Sequence, residues 1–595
     1  MSAPLFNAES SPALPPRFTA WFEARGWTPR AHQLEMVDAA RHGEHVLLTA
    51  PTGGGKTLAG FLPSLLSLAA RGEKPVPADP AAPGPGHNAP RIEAWKPHRK
   101  RSVHTLYISP LKALAVDIAR NLETPVAEMK LDIRIETRTG DTSAHKRQRQ
   151  KIDPPDILLT TPEQLALLLA SREAVNLFQD LDTIVLDELH ALVANKRGDL
   201  LALDLARLSR LAPQARRVGL SATVADPDHL RRYLVPQTTE EPRLSRLVVG
   251  KAGAPPQISV LASEAHIPWS GHSGRHAVPE VMARVKAARM AILFVNTRSQ
   301  AEMLFQELWR INDDNLPIAL HHGSLDANQR RKVEAAMAAG KLRAVVATST
   351  LDLGIDWGDV DLVVQMGAPK GVSRMLQRIG RANHRLDESS TALLVPSNRF
   401  EVLECLAARE AVAKGKQDGE TRRVGGLDVL AQHILGMACA EPFDADELYE
   451  EITTAEPYRE LTRETFDQAL DFVATGGYAL RSYERFAKLR QTPDGRWRVA
   501  SPMVAQRYRL NAGTIVEAQM LNVRFVRSLK TGKALSGGRV IGKMEEWFFE
   551  QMTPGDTFVF AGQILRFETI VETDALVTRG TTDEPMVPSW QGGKF

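Results

Sequence analysis

The sequence contains little cysteine and no long apolar run. Its 595 residues include two cysteines, Cys405 and Cys439, which lie too far apart to suggest a zinc-ligand spacing or a disulfide framework. No apolar run reaches the roughly 18 residues of a membrane-spanning helix. The first residues also lack the basic and apolar segments of a signal peptide. These absences exclude a disulfide-stabilised secreted domain. We expect a cytoplasmic protein in a reducing environment, with no membrane among its partners.

An excess of either charge is also absent. Lys and Arg number 74 against 71 Asp and Glu, which gives a net charge of +3 at pH 7. A surface that binds nucleic acid must therefore be a local cluster of basic residues. The chain is 43% hydrophobic, and its length suits about three to five domains of roughly 100–200 residues.

Short apolar and β-branched runs recur through the first 400 residues, separated by segments with helical spacing. Continuous apolar strands of this kind are typical of parallel sheets that helices cover on both faces. The runs fall into two series, so the sequence predicts two doubly wound α/β domains in tandem. The first series begins at His45, Thr105, Ile157, Thr183 and Arg217, and the second at Ala291, Ile318, Ala344, Leu362 and Ala392.

The composition changes outside these two series. Residues 71–102 are rich in Pro and Gly and end in a basic run, which indicates a flexible insertion. From about residue 423, three segments with helical spacing precede two strand-like runs around "TPDGR". This order favours a winged helix, with a helical adaptor that binds nothing as the alternative. From residue 511 the chain is rich in strands. We therefore expect domains at residues 1–245, 246–422, 423–510 and 511–595.

The stretch "APTGGGKT", residues 50–57, follows an apolar strand and precedes a helical segment. It matches the P-loop pattern except at the first position, where Ala50 replaces Gly. Glycines let the backbone wrap around phosphate, and N–H groups of the loop and the helix start point at the anion. We expect Lys56 to contact the β- and γ-phosphates of ATP and Thr57 to ligate Mg²⁺. Other expected ATP-binding residues of the loop are Thr52, Gly53, Gly54 and Gly55.

A second apolar strand, "TIVLDELH", ends in Asp187 and Glu188. A carboxylate at this place can hold Mg²⁺, and its neighbour can orient and deprotonate an attacking water. Taken alone, such an acidic pair is often a helix N-cap. Together with the P-loop it predicts a nucleoside triphosphatase, in which Asp187 binds Mg²⁺ and Glu188 is the general base.

Further motifs occur around these two sites. They are "SPLKALAVD" (109–117), "TRTGDTS" (137–143), "TTPEQL" (160–165), "LSAT" (220–223), "LFVNTR" (293–298), "HHGSL" (321–325), "ATSTLDLGIDWGDVD" (347–361) and "QRIGRANHR" (377–385). In this order they resemble the motifs of superfamily 2 DExH-box helicases. The set is most similar to the Lhr (large helicase-related) family, and we favour its shorter, ligase-associated branch. The resemblance covers essentially the whole chain. It implies two RecA-like domains, a winged helix and a β-rich, barrel-like segment.

The resemblance assigns roles in the last of these motifs. Arg381 looks like the main arginine finger, a group worth roughly 10³–10⁵ in rate. Gln377 and Arg378 lie close to it and are also expected to be catalytic. The sequence departs from the family pattern after this point, because Asn383 and His384 stand where Gly and Arg are expected. Arg385 is a candidate replacement for the last Arg.

Residues outside the P-loop are expected to contact the rest of the nucleotide. Gln33 precedes the P-loop, as the adenine-reading glutamine of Q-motif helicases does, and a buried structural glutamine is the alternative. Arg30 or Trp27 is expected to stack on the adenine. Asp356 is expected beside the ribose or the base.

Loops of the two α/β domains are expected to contact the phosphates of a single strand without reading its bases. For each threonine, a turn or a helix cap is the alternative. Ser221 and Thr223 are expected to couple the ATP site to the strand. The expected strand contacts in these loops are Lys112, Thr139, Gly140, Thr161, Arg298 and Thr348.

Two residues of the strand-rich segment are candidates to contact the tracked strand. Trp590 resembles an aromatic residue that stacks on that strand, and burial in the barrel core is the alternative. Ile515 is a weaker wedge candidate. One stack is worth about 1–3 kcal/mol, and one base-pair step costs about 1.4 kcal/mol to separate. A single stack can therefore offset roughly one melted pair.

The resemblance implies an ATP- and Mg²⁺-dependent translocase that moves 3′ to 5′ on single-stranded DNA. We expect it to bind a 3′ tail, to unwind DNA or RNA–DNA duplexes and to act in DNA repair beside a ligase or nuclease. An RNA helicase or RNP remodeller is the alternative. An inactive nucleic-acid-binding scaffold is a third possibility, which is opposed by the intact Lys56, Asp187, Glu188 and Arg381. Lhr-type cores continue beyond "GGKF" in a mostly helical domain, so we expect unwinding to be weaker here than ATP hydrolysis.

Overall fold

The chain divides into two compact units, each formed by separate stretches of sequence. The first contains residues 1–50, 55–250 and 420–514, and the second contains residues 51–54, 251–419 and 515–595. Within the described part of the chain, no helix is both long and apolar enough to cross a bilayer. The computed structural model describes residues 14–51, 53–72, 102–238, 240–251, 253–352, 360–382, 389–418, 423–481, 483, 486–514, 519–526, 538–582 and 584–591. Most of the expected insertion at 71–102 lies outside these residues.

A seven-stranded parallel sheet forms the centre of the first α/β domain. Its strands are β1 (Val46–Thr49), β2 (Thr105–Ile108), β3 (Ile135–Arg138), β4 (Ile157–Thr160), β5 (Thr183–Leu186), β6 (Arg216–Ser221) and β7 (Arg246–Val249). They lie in the order β3-β4-β2-β5-β6-β1-β7. The strands that the apolar runs predicted are buried, as a sheet covered on both faces requires. Strand β7 lies beyond the expected boundary at residue 245 and pairs with β1, so this sheet extends to residue 249.

Ten helices accompany this sheet among the described residues. They are α1 (Pro16–Ala24), α2 (Ala31–Arg41), α3 (Lys56–Gly72), α4 (Lys112–Glu128), α5 (Ala144–Ile152), α6 (Pro162–Leu169), α7 (Ala174–Phe178), α8 (Leu189–Val193), α9 (Lys196–Leu211) and α10 (Pro227–Tyr233).

The second α/β domain repeats this plan with a six-stranded parallel sheet. Its strands are β8 (Gln257–Val260), β9 (Ala291–Phe294), β10 (Ile318–His321), β11 (Ala344–Ala347), β12 (Leu362–Met366) and β13 (Thr391–Val395), in the order β10-β11-β9-β12-β13-β8. Its helices are α11 (Val278–Ala287), α12 (Arg298–Arg310), α13 (Ala327–Ala338), α14 (Val372–Ile379) and α15 (Arg399–Ala413). The two sheets confirm the predicted pair of doubly wound domains.

A winged helix packs on the first α/β domain, within the first unit. Its elements are α16 (Leu427–Ala440), α17 (Ala445–Thr453), α18 (Arg463–Thr475), β14 (Leu489–Gln491), β15 (Trp497–Val499) and α19 (Pro502–Asn511). Leu430 and Phe466 share one apolar cluster with Leu201 of α9. Arg207 of α9 also donates to Glu451 of α17 at 3.2 Å. The winged helix therefore completes a core that α9 begins.

A five-stranded sheet forms the β-rich segment of the second unit. Its elements are β16 (Met520–Phe525), β17 (Arg539–Glu545), α20 (Glu546–Glu550), β18 (Thr557–Phe560), β19 (Gln563–Val571) and β20 (Asp574–Arg579). The strands lie in the order β17-β16-β20-β19-β18, and β16 and β20 are the parallel pair. Strand β17 bridges to the second α/β domain through Gly542 and Leu325.

A buried glutamate joins this sheet to the second α/β domain. Glu302 of α12 is fully buried, and its two carboxylate oxygens accept the backbone N–H groups of Ala561 (2.7 Å) and Gly562 (3.0 Å) in the turn between β18 and β19. His322 lies 3.0 Å from the same carboxylate. Gly562 has a φ of +71°, and a Cβ there would lie 2.6 Å from the Phe305 ring. The turn therefore fits only with glycine at this position.

A histidine supports the first strand of the other unit. His45 precedes β1, and its Nδ1 accepts the backbone N–H of Arg217 at 2.9 Å. Burial, with the charges of Arg217 and other arginines, lowers the pKa of His45 to about 4. The neutral ring is thus the form that holds β1 against β6.

Replacing Glu302 should loosen the β-rich segment. In Glu302→Gln a single carbonyl oxygen remains for two N–H groups, so one of them loses its acceptor, at a cost of about 1–3 kcal/mol. We expect faster hydrogen exchange in β18 and β19 and unchanged exchange in β5. Glu307→Gln, on the same helix, is the matched control because Glu307 pairs with Arg275 and Arg310 instead. Equal exchange in both variants would contradict the role of Glu302.

Acid should destabilise the first unit through His45. The folded-state pKa lies below the ordinary value of 6.5, so the stabilisation is complete above pH 6.5 and is lost as pH falls towards 4. Between pH 7 and 5 this loss amounts to about 2 kcal/mol. In His45→Asn an amide oxygen can accept the same N–H without titrating. Urea unfolding at both pH values should therefore show a smaller acid loss in this variant. His42→Asn, at an exposed histidine nearby, should lose as much unfolding free energy between pH 7 and 5 as the wild type does. An equally large loss in His45→Asn would refute the assignment to His45.

Candidate functional site

The predicted phosphate loop connects β1 to α3. Gly53 and Gly55 have φ values of +75° and +74°, a conformation that glycine adopts readily. Lys56 begins α3, and its ammonium donates to the carbonyl of Ala50 at 2.7 Å. Thr57 is the second residue of the helix. The loop therefore presents glycine backbone and a lysine at a helix N-terminus, a combination that binds phosphate. The predicted Thr52 lies outside the described residues.

The predicted adenine-reading residue lies against this loop. A Cβ at Gly55 would lie 3.1 Å from Gln33 Nε2 and 3.3 Å from the Arg30 guanidinium. The carbonyl of the Gln33 side chain accepts the backbone N–H of Arg30 at 2.9 Å and so holds the start of α2. Trp27 is about half exposed and packs edge-to-face on Trp21. Contact of Gln33, Arg30 or Trp27 with adenine stays a prediction.

The acidic pair lies at the end of β5. The carboxylate of Asp187 is buried and accepts the Tyr107 hydroxyl at 2.6 Å and the backbone N–H of Glu188 at 2.8 Å. Burial, reinforced by the charge of Glu188, raises the pKa of Asp187 to about 6. Glu188 has a left-handed φ of +48° at the start of α8, and its carboxylate makes no cap hydrogen bond to that helix. The helix-cap alternative therefore does not explain this residue.

The site fits ATP with Mg²⁺. The Asp187 carboxylate accepts hydrogen bonds from the Tyr107 hydroxyl and the Glu188 N–H, and the charge of Lys56 opposes the rise in its pKa. The described residues also contain no cluster of three or more His, Cys, Asp or Glu suited to a metal. Asp187 and Thr57 are the residues that would hold Mg²⁺, together with phosphate and water oxygens, and this role stays a prediction.

Ser221 is connected to the acidic pair through a residue to which the sequence analysis gave no role. His190 Nδ1 lies 3.0 Å from the Ser221 hydroxyl, and His190 Nε2 lies 3.4 Å from the Glu188 carboxylate. Burial lowers the pKa of His190, which favours the neutral ring. The only signal for His190 was its place in "DELH". Thr223 is exposed in the loop that follows β6.

The predicted strand contacts of the first domain follow β2, β3 and β4, which are neighbours in the sheet. Lys112 begins α4 and pairs with Asp141 at 3.1 Å. A Cβ at Gly140 would lie 2.8 Å from the Lys112 ammonium, so glycine permits this approach. Thr139 and Thr161 are buried, and the Thr139 hydroxyl accepts the Asp141 N–H at 3.3 Å. The turn alternative thus remains open for Thr139.

The second unit brings Arg298 and Trp590 together. The Arg298 guanidinium lies 5.9 Å from the Trp590 ring centre and donates to the Ser324 hydroxyl at 3.1 Å. Trp590 is half-buried against the core of the β-rich sheet, so the core alternative describes part of its environment, and stacking on a strand stays a prediction. Thr348 follows β11, and its backbone N–H donates to the carbonyl of His321 at 3.4 Å.

The predicted arginine fingers lie on or just after α14. Arg378 is buried, donates to both oxygens of Asp352 (2.8 and 3.4 Å) and donates to Gln365 at 2.6 Å. Arg381 is also buried, and its side chain donates to the carbonyl of Gln377 at 3.3 Å. Their roles opposite ATP stay predictions. Five other residues of the sequence analysis lie outside the described residues: Asp356, Asn383, His384, Arg385 and Ile515.

Three family models match the chain in succession. Residues 30–230 match the DEAD/DEAH box helicase domain. Residues 275–385 match the helicase conserved C-terminal domain. Residues 410–587 match the winged helix domain of large helicase-related protein, and this match includes the whole β-rich sheet.

Relatives match the chain over nearly its whole length. It is 32% identical to the ATP-dependent helicase Lhr-Core protein 2 of Thermococcus barophilus, over 96% of this chain and 64% of that protein. It is 31% identical to the Lhr helicase/uracil glycosylase of Escherichia coli, over 98% of this chain and 40% of that protein. The chain thus spans less than two thirds of the length of these curated relatives.

Solved structures show the same architecture. The Mycobacterium smegmatis helicase Lhr, bound to single-stranded DNA and AMP-PNP, superposes with a TM-score of 0.71 at 33% identity. That match covers 85% of this chain and 62% of the other. The DUF1998 helicase MrfA, at 21% identity and a TM-score of 0.71, shares the fold. With two helicase domains and the winged helix of a large helicase-related protein, the chain is similar to the Lhr helicases along nearly its whole length.

Proposed function

We propose that the chain is an ATP-hydrolysing motor that moves 3′ to 5′ along single-stranded DNA and unwinds DNA or RNA–DNA duplexes. The arrangement of the first sheet carries this proposal. The phosphate loop and the acidic pair follow β1 and β5, and Ser221 ends β6, whereas Lys112, Gly140 and Thr161 follow β2, β3 and β4. The strands are parallel, so both groups lie at one edge of the sheet. The direction of movement and the role in DNA repair rest on the family resemblance.

The residues of the site support a hydrolytic step. ATP would supply the phosphoanhydride bond that is cleaved, and Mg²⁺ would offset the charge of its phosphates. Lys56, which now donates to the Ala50 carbonyl, would bind the phosphates, and ionised Asp187 would hold the ion. Glu188 accepts a proton from the attacking water. His190 positions the Glu188 carboxylate and links it to Ser221, which ends β6 and so lies at the same sheet edge as the strand contacts.

The nucleic acid that the motor uses can be identified from ATP turnover. We expect single-stranded DNA to stimulate turnover strongly, single-stranded RNA to stimulate it weakly, and Lys56→Ala to abolish it. Stimulation by RNA alone would assign the chain to RNA remodelling instead. Turnover that neither nucleic acid stimulates would refute the motor.

Loss of the general base should separate ATP binding from hydrolysis. In Glu188→Gln we expect turnover to fall by about 10²–10⁴-fold, since an amide cannot accept the proton. Binding of a fluorescent ATP analogue should persist, whereas Lys56→Ala should weaken it. Glu173→Gln, at an exposed carboxylate of the same unit, is the control and should retain turnover. Wild-type turnover in Glu188→Gln would remove this residue from the mechanism.

The role of Trp590 can be separated from its packing. Trp590→Phe keeps an aromatic face, whereas Trp590→Leu keeps an apolar contact and loses the stack. Stacking is worth about 1–3 kcal/mol per base, so we expect the Leu variant to bind single-stranded DNA about 5- to 150-fold more weakly. Trp309→Leu, at an exposed tryptophan of the same unit, should bind as wild type does. Equal affinity of the Leu and Phe variants would favour the core role alone.

A further inference from the structure

The two-stranded ribbon of the winged helix, β14 and β15, has one packed face. Leu489 and Val499 lie opposite each other, and Leu489 is buried. Trp497 faces the same way and packs against the large apolar cluster of the first unit. Trp497 also exchanges backbone hydrogen bonds with Phe443, at 2.8 and 2.9 Å, so β15 is paired on both edges. The ribbon is therefore fixed on its domain.

The other face of the ribbon is cationic. Arg490 and Arg498 lie directly opposite each other across the two strands, and both are exposed. Neither has a carboxylate within 4.0 Å among the residues that the structure describes. Like charges directly opposite each other destabilise a strand pair. The two arginines therefore lower the stability of the ribbon, and folding does not explain their presence.

Two further cations continue this face. Lys488 and Arg496 are exposed and directly precede β14 and β15. Their carbonyls accept the N–H groups of Ala500 and Thr492, each at 2.8 Å, so the strand pairing continues through both residues and its alternation places them on the side of Arg490 and Arg498. Asp494 in the turn lies 3.7 Å from Arg496. Cations on an edge strand such as β14 can serve to prevent aggregation. That role does not explain the arginine on β15, which is paired on both edges.

We propose that this cationic face, formed by Lys488, Arg490, Arg496 and Arg498, binds the phosphate backbone of a DNA duplex. The inference rests on the proposed DNA function and adds a second contact, to the duplex that adjoins the tracked strand. The occupant is anionic because all four side chains are basic. It is contacted through its backbone, because guanidinium and ammonium groups pair with phosphate without reading sequence.

The composition of the face favours a duplex over a single strand. Sites for single strands combine cations with aromatic residues on which bases stack. Here the aromatic residue of the ribbon, Trp497, lies on the packed face. A duplex carries one charge per roughly 1.7 Å of its axis, which suits closely spaced cations on a rigid ribbon.

Binding to two DNA molecules tests this proposal. The probes are a duplex with a 3′ single-stranded tail and the tail alone, measured by fluorescence anisotropy between 50 and 200 mM salt. We expect the wild type to prefer the tailed duplex. The double variant Arg490→Gln/Arg498→Gln should lose on the order of 10-fold in affinity for the tailed duplex and reduce its salt slope by about 2. Its affinity for the tail alone should not change.

Two further variants exclude an effect of folding or of total charge. Arg490→Glu places opposite charges at the cross-strand pair, so the ribbon keeps its stability while the preference for duplex is lost. Arg41→Gln/Arg172→Gln removes the same charge from exposed residues elsewhere in the unit and should retain the preference. Equal weakening on both probes, or no weakening, would overturn the proposal. A wild type that binds neither probe would refute the proposed DNA function as well.

Discussion

A carboxylate buried at the end of β5 is the constraint on which the first domain depends. Burial raises the pKa of Asp187 to about 6, and its contacts are the Tyr107 hydroxyl and the backbone N–H of Glu188. These donors hold the carboxylate in place, and the charge of Lys56 opposes the rise in its pKa. In its ionised form the group would suit the Mg²⁺ proposed to arrive with ATP. Glu188 retains its left-handed backbone beside Asp187, and His190 connects the pair to β6.

Much of the first site could be predicted from sequence, because parallel strands impose a simple rule. Apolar runs located the strands, and the carboxyl ends of neighbouring strands meet at one edge. Lys56 and Asp187 follow two such strands and Ser221 ends a third, so their proximity could be expected without knowledge of the loops. The sequence could not predict that the side-chain carbonyl of Gln33 accepts the Arg30 N–H at the start of α2. The same amide can cap a helix or contact adenine, so the residue type does not distinguish the two roles. The buried partners of Arg378 also escaped prediction, since Asp352 and Gln365 come from other parts of the domain.

Contacts between remote segments account for the rest of what sequence could not show. Glu302 occupies an ordinary helical position, and its partners are backbone N–H groups 259 and 260 residues later. Every residue except proline has a backbone N–H, so the sequence could not show that Glu302 attaches the β-rich sheet to the second α/β domain. The motif resemblance indicated Arg298 and Trp590 separately, whereas their contact depends on that attachment. Likewise, the pairing of Arg490 with Arg498 across the ribbon could not be predicted without the register of β14 and β15.

The interleaved order of the two units has a consequence during protein synthesis. Helix α9 ends at Leu211, yet the helices that complete its apolar cluster begin at Leu427. A ribosome that adds about 5–20 residues per second needs roughly 10–40 s to cover this interval. Throughout that time the apolar side of α9 is present without the winged helix that covers it, while the second α/β domain emerges between them. The nascent chain thus carries an exposed apolar surface that a chaperone can hold, and its first unit reaches completion only after most of the second has been made.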